Sequence, residues 1–273
     1  ERIARTRWVH RGGATFGVDL PAPAIAVSRH RLDDAMAREF EKLGGTLRVR
    51  SRREATGGAG EVVATGRRLA HDRKKWIGLK VHQVDADSGG VLELHLGRRG
   101  YLGRSSVEGA RVNICGLFRR DPGAKGRGPE LLLEYMRRNG ILRGMRGWQD
   151  WKFDPSSFCG VSAMAFGWER LANRPMLGDA SAMIAPFTGN GMSHAIESAE
   201  CLLPHVLDYA SGARSWTAAL KNYEIARTAA FRSRIRVANV LQALMLSPLP
   251  SAGLALLARR HLLPFRLLFR WTH

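Results

Sequence analysis

The chain has 273 residues, 45% of them hydrophobic and 30 of them glycine; it is long enough to bury a substantial core and too apolar for a disordered tail. Lys and Arg number 43 against 24 Asp and Glu, and the net charge of +19 attracts anionic partners without choosing among nucleic acid, lipid and phosphorylated ligands. The three cysteines, Cys115, Cys159 and Cys201, are widely spaced and form no C-x-x-C pair, which excludes a zinc ribbon or disulfide framework and points to a reducing compartment, the cytoplasm.

The first residue is Glu1 rather than methionine and no apolar leader follows it, so the natural chain is expected to begin upstream. Residues 1–27 read as irregular, ending in an extended P-A-P-A-I-A-V segment. From Ser28 to Leu43, Leu32, Met36, Phe40 and Leu43 fall at helical spacing, and Gly44-Gly45 supply a stop. Strands are expected at Thr46–Arg50 and Glu61–Ala64, the second ending in Thr65-Gly66. Between Trp76 and Phe118 the period changes to two, and Trp76–Val84, Val91–Leu96 and Arg111–Phe118 predict an antiparallel sheet. A loop from Asp121, a helix over Pro129–Asn139 and a strand over Val161–Trp168 follow.

Beyond Met192 the chain reads as helix. Val240–Ala258 holds no charged residue, but Ser247-Pro248-Leu249-Pro250-Ser251 breaks it, so two shorter helices are expected rather than one membrane span. From Ser211 onward ten Lys or Arg stand against one acid, Glu224. Leucine and phenylalanine lie among the last four of those arginines, a composition suited to peripheral membrane contact through residues 240–273. Scattered arginines also suit a plain solvated face, and no nucleic-acid motif accompanies them.

The segment P-M-L-G-D-A-S-A-M-I-A-P-F-T-G-N-G-M-S-H-A, beginning at Pro175, is the most informative. It reads as a buried strand, an aspartate (Asp179) at its end, a small-residue loop, and a helix whose first turn is Gly189, Asn190, Gly191 and Met192. Unpaired backbone N–H groups and the helix dipole make such a turn a receptor for a polar, partly anionic ligand. No G-x-G-x-x-G follows any strand in the sequence.

That segment resembles the second flavin-binding motif of FAD-dependent oxidoreductases of the para-hydroxybenzoate hydroxylase and geranylgeranyl reductase superfamily. S-R-H-R-L-D-D-A-M is similar to the family's R-x-x-L-D helix start, and V-V-A-T-G-R to its strand ending in A-D-G or A-T-G. W-I-G-L-K-V-H, G-Y-L-G and R-V-N-I-C-G-L resemble its substrate-domain strands. The likeness spans roughly Ala24 to Tyr209 and lacks the family's N-terminal GxGxxG βαβ unit, which would hold the ADP half of the cofactor.

The resemblance implies FAD as cofactor, with NAD(P)H as a possible electron donor, and an α/β fold in which a Rossmann-like FAD-binding domain is interrupted by an antiparallel substrate domain and followed by a helical C-terminal region. The implied divisions are 1–27 (substrate-domain strand and connection), 28–72 (FAD-binding part), 73–174 (antiparallel substrate domain), 175–210 (FAD-binding part with the flavin motif) and 211–273 (basic helical region). The implied cofactor residues are Arg29, Thr65, Gly66, Gly178, Asp179, Pro186, Gly189, Asn190, Gly191 and Met192. Asp179 would accept from the ribityl region, Pro186 would shape the loop over the flavin, and the Gly189–Met192 amides would face the pyrimidine edge.

Thr65 stands where many hydroxylases carry aspartate, which favours a reductase-like relative. The substrate would be a small apolar molecule, prenyl or polyketide-like. The competing reading is a truncated, non-catalytic module binding a membrane or partner through its basic helices. No residue is assigned a catalytic acid–base role and no metal site is expected; His82, His95 and His194 read as packing or surface residues, and the cysteines as buried and inert. Oligomeric state is left open.

Overall fold

A computed structural model describes residues 1–11, 13–54, 56–67, 75–162, 164, 166–169 and 174–272. The chain forms two compact units: Glu1–Glu54 with Gly78–Gly160, and Ala55–Ile77 with Val161–His273.

The first unit carries a seven-stranded sheet. Its strands are β1 (Arg2–His10), β2 (Ala14–Ile25), β3 (Trp76–Val84), β4 (Val91–Leu96), β5 (Gly100–Val107), β6 (Arg111–Arg119) and β7 (Phe153–Ser162), in the order β2-β1-β4-β5-β6-β3-β7. The sheet is antiparallel through β4, β5 and β6, as expected for this stretch, but the period-two pattern names β4 and β6 and not the β5 strand that lies between them; β1 lies parallel to β4.

Residues 1–27 are not irregular: β1 and β2 form a long antiparallel ribbon in which Trp8 stacks on Phe16 at 5.8 Å. Two features hide it from a pattern search. A register shift between Ile3 and Arg5 breaks the alternation of buried residues, and β2 is an edge strand, where Pro21 and Pro23 are tolerated because no neighbour needs their missing N–H.

On one face of the sheet Leu102, Val112, Ile114 and Phe118 are buried with Leu132, Tyr135 and Met136 of helix α2 (Pro129–Arg138). The Phe118 and Tyr135 rings lie 5.2 Å apart. Phe118 requires glycine at two flanking positions, since a Cβ at Gly100 or Gly116 would stand 2.5 Å or 2.6 Å from its ring.

Helix α1 (Arg29–Lys42) starts where expected, with the Ser28 hydroxyl accepting from Arg31 N. Its stripe Met36, Phe40 and Leu43 is open to solvent, however. The strand expected at Thr46–Arg50 does not form; Leu47 and Val49 are exposed.

In the second unit, the strand expected at Glu61–Ala64 is reduced to one parallel bridge between Val63 and Met176, closed by Val63 N to Pro175 O and Leu177 N to Val63 O, both 2.9 Å. The strand expected over Val161–Trp168 straddles the end of β7 and a short β8 (Gly167–Trp168), with residues 163 and 165 outside the described ones. β8 pairs antiparallel with β9 (Ala182–Met183).

Four helices follow: α3 (Gly191–Ala210), α4 (Trp216–Met245), α5 (Pro248–Arg259) and α6 (Phe265–Thr272). The break falls at Ser247-Pro248 as predicted, α4 and α5 meet at 98°, and no single helix among the described residues is long and apolar enough to cross a membrane. α4 turns one stripe inward, Ala219, Tyr223, Arg227, Phe231, Ile235 and Ala238. Phe231, Ile235 and Ala238 close a core with Ala182, Ile184 and Ala185, which lead directly into the glycine-rich turn.

Candidate flavin site

The parallel bridge between Val63 and Met176 brings two of the predicted groups together. Thr65-Gly66 and Gly178-Asp179 each follow a bridged residue by two or three positions, so both leave the same end of the paired segments. Gly66 and Gly178 both hold positive φ, +72° and +54°, which glycine adopts without the steric cost other residues meet.

Gly178 is fixed from three directions. Its N–H donates to Ser198 Oγ of α3 at 2.9 Å, its carbonyl accepts from Ser181 N and Oγ, and an added Cβ would stand 3.0 Å from the Ala195 Cβ. Gly178 is thus the point where the strand end and helix α3 meet, and Asp179, half-exposed, emerges beside it.

The loop then closes on itself. Pro186–Thr188 is a single 3-10 turn, with Thr188 Oγ1 donating to Ala185 O at 2.9 Å. Gly189 ends that turn in the left-handed region at φ +74°, and Asn190 precedes the helix proper. The helix therefore begins at Gly191, two residues later than the sequence suggests, and Gly189 and Asn190 belong to the approach.

Among the described residues, no atom beyond the immediate chain neighbours and the helix's own backbone lies within 4 Å of a Cβ built on Gly66, Gly189 or Gly191, so the backbone at these three positions borders open space. The first-turn N–H groups of α3, Gly191 and Met192 among them, have no intrahelical acceptor by the geometry of any helix start. Pro186 is exposed at the rim and Met192 half-buried. Asn190 is buried, and its side chain is engaged within the protein: Nδ2 donates to the carbonyl of Thr272 in α6.

Arg29 belongs to the first unit, not the second, and there its guanidinium makes a two-pronged ion pair with Asp33, both contacts 3.1 Å, in the exposed first turn of α1. The adjoining residues Ser28, His30 and Arg31 line a cleft of about 650 Å³ with Lys80, His82, Arg111 and Asp154. Burial lowers the pKa of both Lys80 and His82, and the Lys80 and Arg111 charges lower His82 further.

Arg227 is a residue the sequence reading passed over. Its guanidinium is fully buried, lies 3.9 Å over the Trp168 ring, pairs with Glu224, and donates to Ser181 O and Glu169 O. It holds the β8–β9 pair that carries the glycine turn. A signal for it existed: arginine stands in the four-residue repeat Tyr223, Arg227, Phe231, Ile235, where an apolar residue is expected.

His95 is buried against Glu93, with Nε2 3.3 Å from Oε2, and His194 is buried with its ring edge-on to Phe231 at 4.8 Å, in keeping with packing roles. The cysteine expectation needs correction. Cys115 and Cys159 are exposed and Cys201 is half-buried, because the first two occupy the open face of their strands. Among the described residues no group of His, Cys, Asp and Glu could hold a metal.

The residues fit the ring and ribityl half of a flavin: open glycine backbone, helix-start N–H donors and an acid at a strand end share one edge of the second unit. They do not include a pyrophosphate loop, since the sequence holds no G-x-G-x-x-G.

The mixed α/β architecture, with its large sheet and helical C-terminal region, is the fold of flavin-dependent monooxygenases. The flavin-dependent brominase Bmp2 superposes with a TM-score of 0.75 at 12% identity, over 100% of this chain and 76% of its own. The probable FAD-dependent monooxygenase pqsL from Pseudomonas aeruginosa gives 0.66 at 18%, over 93% and 81%. Klebsiella pneumoniae HpxO, solved with FAD and uric acid, gives 0.68 at 16%, over 99% and 79%. No family model and no curated sequence matches the chain.

Proposed function

We propose that the chain is an FAD-dependent oxidoreductase of the monooxygenase type, and that it seats the isoalloxazine against the Gly189–Met192 turn. The observation that carries this reading is the open backbone at Gly66, Gly189 and Gly191 beside a helix start and Asp179. The fold likeness to Bmp2, pqsL and HpxO supports it.

Bound FAD would supply the redox chemistry, reduced by NAD(P)H or another donor. The chain's own contributions follow from its geometry. Gly189 and Gly191 let a planar ring approach the backbone, and the N–H groups of Gly191 and Met192 place donors and the positive end of the α3 dipole at an edge where negative charge gathers on reduction. Asp179, half-exposed at the strand end, would accept from ribityl hydroxyls. Thr65, exposed at its strand end, favours the reductase-like branch of the superfamily, whereas the monooxygenases among the structural neighbours favour oxygenation; we adopt oxygenation of a small apolar substrate.

The ADP half would be held by a βαβ unit outside this sequence. Helix α3 leaves Ile196, Leu203 and Leu207 exposed at helical spacing, an apolar stripe of the kind a further layer covers. The missing glycine fingerprint also favours one alternative, a flavoprotein-fold module without turnover.

One titration tests the flavin site on which the enzymatic reading rests. The chain is incubated with FAD and with riboflavin, and bound flavin is read by fluorescence quenching and by the visible spectrum after gel filtration. Uptake of either, abolished by the bulky G191L, supports the flavin site; no uptake of either overturns it.

A further inference from the structure

The last two helices present a surface that the flavin reading does not use. Helix α5 buries Ser251, Ala255 and Ala258 at positions i, i+4 and i+7, and turns Leu249, Leu256 and Leu257 outward. Helix α6 turns Phe265, Leu268, Phe269 and Thr272 toward the protein and leaves Leu267 and Trp271 exposed. Leu262, in the turn between them, is 64% exposed, and Leu249 is 86% exposed. Arg259, Arg260, Arg266 and Arg270 stand exposed among these side chains. No Asp or Glu follows Glu224 in the sequence, so nothing acidic in the remaining chain neutralises them.

We propose that this face of α5 and α6 docks the protein on the surface of an anionic lipid bilayer. The argument is one of joint complementarity. Six large apolar side chains in water over two dozen residues are unfavourable, and lipid acyl boundaries take them up. Arginine stems lie along the same boundary while their guanidinium groups meet anionic headgroups. A nucleic acid would satisfy the arginines and leave the leucines in water. A second copy of this chain would cover the leucines but set arginine against arginine without an acid to pair them. Trp271 beside Arg270 is also the pairing of side chains that settles at the headgroup level.

The docking face is tied to the cofactor turn, since the Thr272 carbonyl at the end of α6 accepts from Asn190 Nδ2. An apolar substrate drawn from a bilayer would thus arrive at the end of the unit that bears the glycine turn. The docking itself does not depend on flavin binding.

The test is flotation of the full chain with vesicles of phosphatidylcholine, with and without phosphatidylglycerol, at low and high salt. The expected result is binding to the anionic vesicles at least about tenfold stronger than to the neutral ones, weakened by salt. Two variants divide the contributions: R259Q/R260Q/R266Q/R270Q should lose at least about tenfold of that binding, and L256N/L257N/L267N/W271N should lose the part that survives salt. In the unmodified chain, brominated phospholipid should quench tryptophan fluorescence, and W271F should remove most of the effect. That readout stands even where a quadruple variant fails to fold. The proposal is overturned by no flotation, by equal flotation of both variants and the parent, or by absence of quenching. Association with single-stranded oligonucleotide or with itself in place of vesicles also overturns it.

Discussion

The Arg227 guanidinium lies 3.9 Å over the Trp168 indole, buried completely, and joins α4 to the strand pair that carries the glycine turn. Its donors reach Ser181 O and Glu169 O at 3.2 Å and 3.0 Å, and Glu224 one turn away balances the charge. Replacing it with methionine leaves Ser181 O with the Glu169 N–H as its donor, removes the donor to Glu169 O and unpairs Glu224, at a cost of about 3 kcal/mol. Lysine retains the charge but not the planar fork and should recover less than half of that loss. Denaturant unfolding of R227M and R227K decides the matter; a loss under ~0.5 kcal/mol for R227M would show that the tie is idle.

The glycines of the turn separate into two kinds, and substitution should tell them apart. Gly178 is structural: alanine there meets both φ +54° and a contact of 3.0 Å with Ala195, so G178A should lose about 2 kcal/mol. Gly191 has neither constraint and borders open space. G191A should therefore unfold within about 0.5 kcal/mol of the parent while its flavin uptake falls. Equal stability loss in the two variants would contradict this division.

Asn190 offers a dynamic test. Its side-chain amide is the described hydrogen bond between the glycine turn and α6, across 82 residues of sequence. N190A should cost about 1 kcal/mol globally, since a neutral hydrogen bond contributes that much. Its larger effect should be local: amide hydrogen exchange across 265–272 should quicken while that of α4 stays unchanged. Unaltered exchange in α6 would mean the helix is held by packing alone.

These relationships divide what the sequence reveals from what it conceals. The glycine turn is legible because part of its requirement is on the backbone: Gly189 holds a positive φ that glycine adopts without strain, and glycine spacing is visible in one dimension. β3, β4 and β6 are legible because apolar residues alternate with polar ones along them, as Leu92, Leu94 and Leu96 do with Glu93 and His95, even where both faces are buried. The β1–β2 ribbon is not, because a bulge and two edge prolines erase the alternation. β5 escapes the same search, since Arg104, Ser105 and Ser106 replace apolar residues where the core is polar. Thr46–Arg50 has the composition of a strand and, exposed, no strand beside it to pair with. Long-range partners such as Asn190 with Thr272 depend on register and docking, which local pattern does not encode.

The polar core behind β5 supplies the last expectation. Glu93, 6% exposed, accepts from Arg7, from His95 at 3.3 Å and from Arg104 at 3.4 Å, while Arg104 also reaches Gln83 and stacks on Trp151 at 5.2 Å. Burial alone would raise the Glu93 pKa; hydrogen bonds from His95 and Arg7 and the Arg104 charge outweigh it and bring the value down from 4.5 to about 2. The folded-state pKa is thus below the unfolded one, so the carboxylate stabilises the fold above about pH 4.5 and loses that contribution as pH falls toward 2. A shift of this size corresponds to roughly 3 kcal/mol, an upper figure because Arg7 is half-exposed. E93Q should accordingly lower stability at neutral pH by about 2 kcal/mol and flatten the acid limb of the stability curve between pH 4.5 and 2. Unfolding midpoints of the parent and E93Q over that range give the comparison, and parallel acid limbs would remove Glu93 from the account of acid sensitivity.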